Sequence, residues 1–132
     1  FVSLIHGTDS EKLLKEINKR AKQNNRIINC LLQVYIAKES TKFGFSSYEI
    51  NDIMQKSYEF KNVNIIGLMG MATFTDNISQ IEKEFYSLQQ IYKNHTSFTT
   101  LSMGMSGDYK SAIKCGSNMI RLGSVIFGNR NY

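Results

Sequence analysis

Two stretches near the end of the chain hold the residue types best suited to chemistry. Thr100-Leu-Ser-Met-Gly-Met-Ser-Gly-Asp108 runs from an apolar extended segment into a Gly- and Ser-containing turn that opens a helix. Such a turn presents unpaired backbone N–H groups and the positive end of a helix, so a phosphate or carboxylate is its natural ligand. Small residues let that ligand approach the backbone. A serine in this setting also serves as a plain helix cap, and both roles stay open for Ser106.

The second stretch, Arg121-Leu-Gly-Ser-Val-Ile-Phe-Gly128, repeats the pattern of a strand passing into a Gly/Ser turn. Ligands of parallel α/β folds gather at the carboxyl ends of the strands, and adjacent phosphate-cradling turns recur late in barrels. A turn at Ser106 and a turn at Gly123 and Ser124 can therefore share one dianion. Arg121 alternates with Leu122, which points it inward from its strand. An inward guanidinium without a partner is costly, so either a ligand or an internal carboxylate must meet it.

The elements that must position these turns follow a repeating order. Val2–Ile5 reads as a short strand, and Asp9 or Ser10 caps a helix with Leu13, Leu14, Ile17 and Ala21 on one side. Ile27–Ile36 is nearly continuous apolar sequence, as suits a strand covered on both faces. Ser46 and Glu49 form a capping box before Ile50, Ile53, Met54 and Tyr58 at helical spacing. Val63–Met69 is the next strand, and Asp76 or Asn77 caps a helix striped by Ile78, Ile81, Phe85, Leu88 and Tyr92. Phe98–Met103 is a strand, a short helix opens at residues 106–108 and ends near Gly116, and Asn118–Leu122 is a final strand. Strand and helix alternate without any Asn-Gly or Asp-Gly hairpin signal, which predicts an α/β fold of parallel strands joined by right-handed crossovers.

Composition narrows the function classes. The chain has 132 residues, 42% hydrophobic and 20% charged, as expected for one globular domain, residues 1–132. The net charge of +5 invites a nucleic-acid or anionic-membrane reading. However, Lys12, Lys15, Lys19, Arg20 and Lys22 alternate with Glu11 and Glu16 on one helix, as on a solvated outer face, so neither partner is expected. No apolar run is long enough to span a bilayer and no leader pattern precedes the first strand, so a cytoplasmic location is expected. Cys30 and Cys115 lack redox or zinc spacing and read as buried thiols, and no metal is implied. Met69, Met71, Met103 and Met105 read as core packing, and His6 as a structural histidine or a residue bordering the site.

The residues from Leu101 to Arg130, Leu-Ser-Met-Gly-Met-Ser-Gly-Asp through Gly-Ser-Asn-Met-Ile-Arg-Leu-Gly-Ser-Val-Ile-Phe-Gly-Asn-Arg, closely resemble the pyridoxal-phosphate homeostasis proteins, the YggS or proline-synthase co-transcribed family. Ile5-His6-Gly7-Thr8-Asp9-Ser10, Gln33-Val34 with Glu39, Lys42 and Gly44, and Gly67-Leu-Met-Gly-Met-Ala72 resemble its earlier segments. The resemblance implies a (β/α)8 TIM barrel of the alanine-racemase type, of which this chain carries about strands four to eight. Carried to matching positions, Ser106 with the backbone of Gly123 and Ser124 would hold the phosphate of pyridoxal 5′-phosphate, and Arg121 would face the pyridine nitrogen. A cation there disfavours ring protonation and makes the ring a weaker electron sink.

Departures from the family bear on function. Its Schiff-base lysine falls on a strand that would precede Phe1, and neither Lys38 nor Lys42 matches that position. Tyr35 stands where the family commonly has asparagine, and Gly7 where it commonly has serine. The resemblance thus implies a non-catalytic cofactor carrier retaining the phosphate half of its site, with no catalytic residue assigned. The alternatives are a racemase-type enzyme, which needs an opposing acid/base residue, or an inactive remnant that self-associates through exposed sheet edges.

Overall fold

The computed structural model describes residues 4–37, 44–105 and 107–120. Among these residues, four strands, β1 (Leu4–Thr8), β2 (Ile28–Gln33), β3 (Val63–Gly70) and β4 (Thr100–Met103), alternate with four helices, α1 (Glu11–Gln23), α2 (Ser47–Gln55), α3 (Ile78–Lys93) and α4 (Tyr109–Lys114). The sheet order is β1-β2-β3-β4, and every neighbouring pair is parallel. Each crossover therefore places the new strand beside its predecessor, and the sheet grows in one direction.

Local chemistry sets the helix starts. Ser10 caps α1, its Oγ accepting the Leu13 N–H at 3.2 Å, and Asn77 caps α3 by accepting the Gln80 N–H at 3.2 Å. The capping box at α2 is complete: Ser46 Oγ accepts the Glu49 N–H at 3.3 Å, and Glu49 Oε1 accepts the Ser46 N–H at 3.0 Å. Ser46→Ala is expected to cost about 1 kcal/mol, measured by urea denaturation, since the Glu49 amide loses its side-chain acceptor while the backbone amide of residue 46 keeps Glu49 Oε1. An unchanged midpoint would mean that water satisfies that amide equally well.

The core lies between the sheet and its helices. Leu14 and Ile17 of α1, Ile50 and Ile53 of α2, and Ile81, Phe85 and Leu88 of α3 pack with Cys30, Leu32, Ile65, Leu68, Leu101 and Met103 of the strands. Burying each large side chain contributes about 1.5–3 kcal/mol. Outside this core, Glu11 is paired with Lys15 at 3.0 Å and with Lys56 at 2.6 Å, and these partners hold its carboxyl below the usual range.

Several sequence expectations shift in detail. The first strand runs on through Thr8 rather than ending at Ile5, and residues 1–3 lie outside the described set. Strand β2 stops at Gln33 because the chain then pairs with its own return, Tyr35 N–H donating to Phe45 O at 3.0 Å and Phe45 N–H to Gln33 O at 2.7 Å. Tyr58 is exposed, because α2 ends at Gln55 and a single 3-10 turn, Ser57–Glu59, turns the residue away from the stripe. Ile78, on the first turn of α3, is exposed as well. No described helix is long and apolar enough to cross a membrane.

Candidate functional site

The carboxyl ends of β3 and β4 open onto a groove of about 630 Å³, walled by Thr73, Phe74 and Asp76 on one side and by Met105, Gly107 and Asp108 on the other. The second wall is the turn predicted from sequence. Gly104 enters it with φ of +106°, a left-handed conformation that favours glycine, and a Cβ there would come within 2.6 Å of the Ala112 Cβ. Asp108 sits at the N-cap of α4 but spends its carboxylate on the turn: Oδ1 accepts the Met105 N–H at 2.7 Å, and the Asp108 N–H donates to Met105 O at 3.1 Å. A Cβ built on Gly107 meets nothing within 4 Å among the described residues.

The first wall is fixed by a buried acid. Glu84, on the inner side of α3 and 5% exposed, accepts the Thr73 N–H at 2.6 Å and the Thr73 hydroxyl at 2.7 Å. Gln80 Nε2 donates to it at 3.1 Å. The sequence reading passed over Glu84, although an acid set among Ile81, Phe85 and Leu88 on an apolar stripe is a legible anomaly. It also passed over the exposure of Met71 and Met105. Met69 and Met103 are core residues as expected, whereas Met71 and Met105 are 41% and 45% exposed at the groove end of the sheet.

Beyond β4, residues 117–119 dock in parallel. Ser102 bridges to Met119, and the Met103 N–H donates to Met119 O at 3.1 Å. Asn118 imitates a strand with its side chain, accepting the Leu101 N–H at 2.8 Å and donating to Thr99 O at 2.9 Å. Ser117 Oγ donates to Met103 O at 2.7 Å. Of the strand expected over Asn118–Leu122, the described residues show this one bridge at Met119, and residues 121 and 122 lie outside them. The four predicted site residues, Ser106, Arg121, Gly123 and Ser124, lie outside the described residues, as do Lys38, Glu39 and Lys42.

On the sheet face opposite the helices, His6 Nε2 and Ser102 Oγ are 2.7 Å apart, the direction of donation following the imidazole tautomer. Gly7 lies beside Gln33: a Cβ at Gly7 would stand 2.9 Å from Gln33 Oε1 and 4.0 Å from Met69 Cε. Thr8 Oγ1 is buried with no hydrogen-bond partner of ordinary geometry among the described residues. It neighbours the Cys30 thiol, whose pKa burial pushes up while the Thr8 hydroxyl pulls it, more weakly, down. Cys115 is half-buried, and burial raises its pKa as well.

The chain is similar to known proteins over nearly all of its length. The family model described as alanine racemase, N-terminal domain, matches residues 3–131. A pyridoxal phosphate homeostasis protein of Aquifex aeolicus is 32% identical over 136 residues, covering 99% of this chain and 60% of that protein. Its counterpart in Helicobacter pylori strain 26695 is 38% identical over 126 residues, covering 95% of this chain and 57% of that protein. The chain thus spans less than two thirds of the length of these relatives. Among solved structures, PipY of Synechococcus elongatus with pyridoxal phosphate bound superposes with a TM-score of 0.78 at 23% identity, over 91% of this chain and 58% of PipY. At that identity the likeness concerns the fold.

Proposed function

The chain belongs to the alanine racemase N-terminal domain family, and from that premise we propose that it binds pyridoxal 5′-phosphate and serves its storage and delivery. The strands described here then correspond to the second half of a (β/α)8 barrel, with the ligand at their carboxyl ends. The relatives named pyridoxal phosphate homeostasis protein, and PipY with its bound pyridoxal phosphate, point the same way.

One observation of this chain carries the reading: residues 117–119 run parallel to β4 and hydrogen-bond to residues 101–103. The segment leading to Arg121, Gly123 and Ser124 therefore sets out from beside the strand that ends in the turn around Ser106. Two Gly/Ser corners on adjacent parallel strands converge on one dianion. The open space beside Gly107 among the described residues fits an anion's approach, while the Asp108 carboxylate is engaged with the Met105 N–H. In this reading Ser106 donates its hydroxyl to the phosphate, Gly123 and Ser124 donate backbone N–H groups, and Arg121 faces the ring nitrogen. When bound, the cofactor supplies an electron-withdrawing ring, and Arg121 weakens that property by keeping the ring nitrogen unprotonated.

Association is the remaining part of the reading. Among the described residues, β1 pairs only with β2, and in this reading a second copy would pair along the other edge of β1. The edge of β4 is already occupied by residues 117–119.

Titration with pyridoxal 5′-phosphate, with inorganic phosphate as competitor, tests the proposal. Arg121→Ala is expected to weaken binding about 10- to 100-fold, the worth of a charge-assisted contact. Lys38→Ala and Lys42→Ala are expected to leave the bound ligand's absorption spectrum unchanged. Binding that phosphate does not compete with, or an Arg121→Ala variant that binds as the wild type does, would overturn the assignment.

A further inference from the structure

We propose that His6 and Ser102 are positioning residues, forming a clasp that sets the curvature of the sheet and so the placement of the β4 turn. The proposal rests on the functional reading above for its ligand, but the clasp itself is read from geometry. Strands β1 and β4 are separated by two others, and in a flat sheet they would stand about 14 Å apart at the usual strand spacing. His6 Nε2 and Ser102 Oγ are nevertheless 2.7 Å apart. That distance requires a strongly curved sheet whose face opposite the helices is concave.

The same face is shielded from water. Leu31 and Met69 alternate with the helix-facing Cys30, Leu32 and Leu68, yet they are 0% and 4% exposed. Ser102 is 1% exposed, so water does not compete for its hydroxyl. Its place in the ladder makes it a junction: it pairs with Met69 of β3 on one side and with Met119 on the other. Two residues further on, Gly104 begins the turn that leads to Ser106. A shift of Ser102 therefore moves both the turn and the segment that runs toward Arg121. Histidine suits the role because its stiff ring carries a polar atom at a fixed reach from the backbone.

Two measurements on His6→Ala, Ser102→Ala, the double variant and His6→Gln test the clasp. Gln is the conservative variant because its amide nitrogen can stand near the position of Nε2. The first measurement is the affinity for pyridoxal 5′-phosphate. Each single alanine variant is expected to lose about 5- to 10-fold, the double variant no more than either single, and His6→Gln less than either. The second is the backbone amide shifts of Gly104 and Gly107, which are expected to move in all three alanine-bearing variants and to return toward wild-type values in His6→Gln. Wild-type binding retained in both single variants would overturn the clasp while leaving the functional reading intact. A wild-type chain that does not bind the cofactor would overturn the functional reading, and the amide shifts then decide the clasp alone. Unmoved shifts would sink it in either case.

Discussion

Gly67→Ala is expected to lower the unfolding free energy by about 3–5 kcal/mol, among the larger effects of any single methyl group, because the added carbon meets backbone. Gly67 follows a register irregularity: Cys30 pairs with Ile65 and Leu31 with Gly67, so Ile66 is skipped. A Cβ at Gly67 would collide with the Thr100 carbonyl oxygen and stand 2.7 Å from the Thr100 carbonyl carbon. No rotamer change relieves this contact, and β3 and β4 must separate. The strands are joined there by the Thr99 N–H donating to Ile66 O at 2.8 Å and by the pairing of Gly67 with Thr100. Urea denaturation reads the loss, and a chain that fails to accumulate as folded protein is the same result in stronger form. A cost below about 1 kcal/mol would show that the bulge slides to accommodate a side chain. Gly7→Ala is the natural control, because there the approaching atom is Gln33 Oε1, the mobile end of a side chain.

Most of the fold is legible from sequence for reasons that are local. Ser10, Ser46 with Glu49, and Asn77 announce helix starts by the chemistry of their own side chains, and each accepts the amide expected of it. The apolar run Cys30-Leu-Leu32 announces a strand covered on both faces, and all three residues are fully buried. Less legible are features that depend on distant partners. The bulge at Ile66 arises from registry with β2, and the contact of His6 with Ser102 spans 96 positions of sequence. The exposure of Met71 and Met105 likewise reflects where the sheet ends rather than residue type. As for the site, the turn around Gly104 and Asp108 was readable, and of the strand expected over Asn118–Leu122 the described residues show a single parallel bridge from Met119 to Ser102. The use of the Asp108 carboxylate inside the turn was not readable, since an aspartate before a helix reads as an ordinary cap.

Glu84→Ala is expected to cost about 2–4 kcal/mol and to release the loop that forms one wall of the groove. The wild-type carboxylate accepts from the Thr73 amide, the Thr73 hydroxyl and Gln80 Nε2 at distances of 2.6, 2.7 and 3.1 Å. Its burial carries an opposing desolvation cost, and the net sign depends on how completely these donors replace water. Three donors on two oxygens, two of them short, favour a net gain. Alanine removes the acceptor but leaves the donors near the interior, where an unpaired amide is expensive. Glu84→Gln separates charge from geometry: one oxygen still accepts the Thr73 amide, and the Thr73 hydroxyl can turn to accept from the new NH₂. Its cost is therefore expected to be about half that of alanine or less. Urea denaturation gives the stabilities, and limited proteolysis between Met71 and Asn77 reports on the loop. Stability within about 0.5 kcal/mol of wild type for Glu84→Ala, with no new cleavage, would mean that desolvation cancels the three hydrogen bonds. The wall would then be held by Ile81 and the packing of α3 alone.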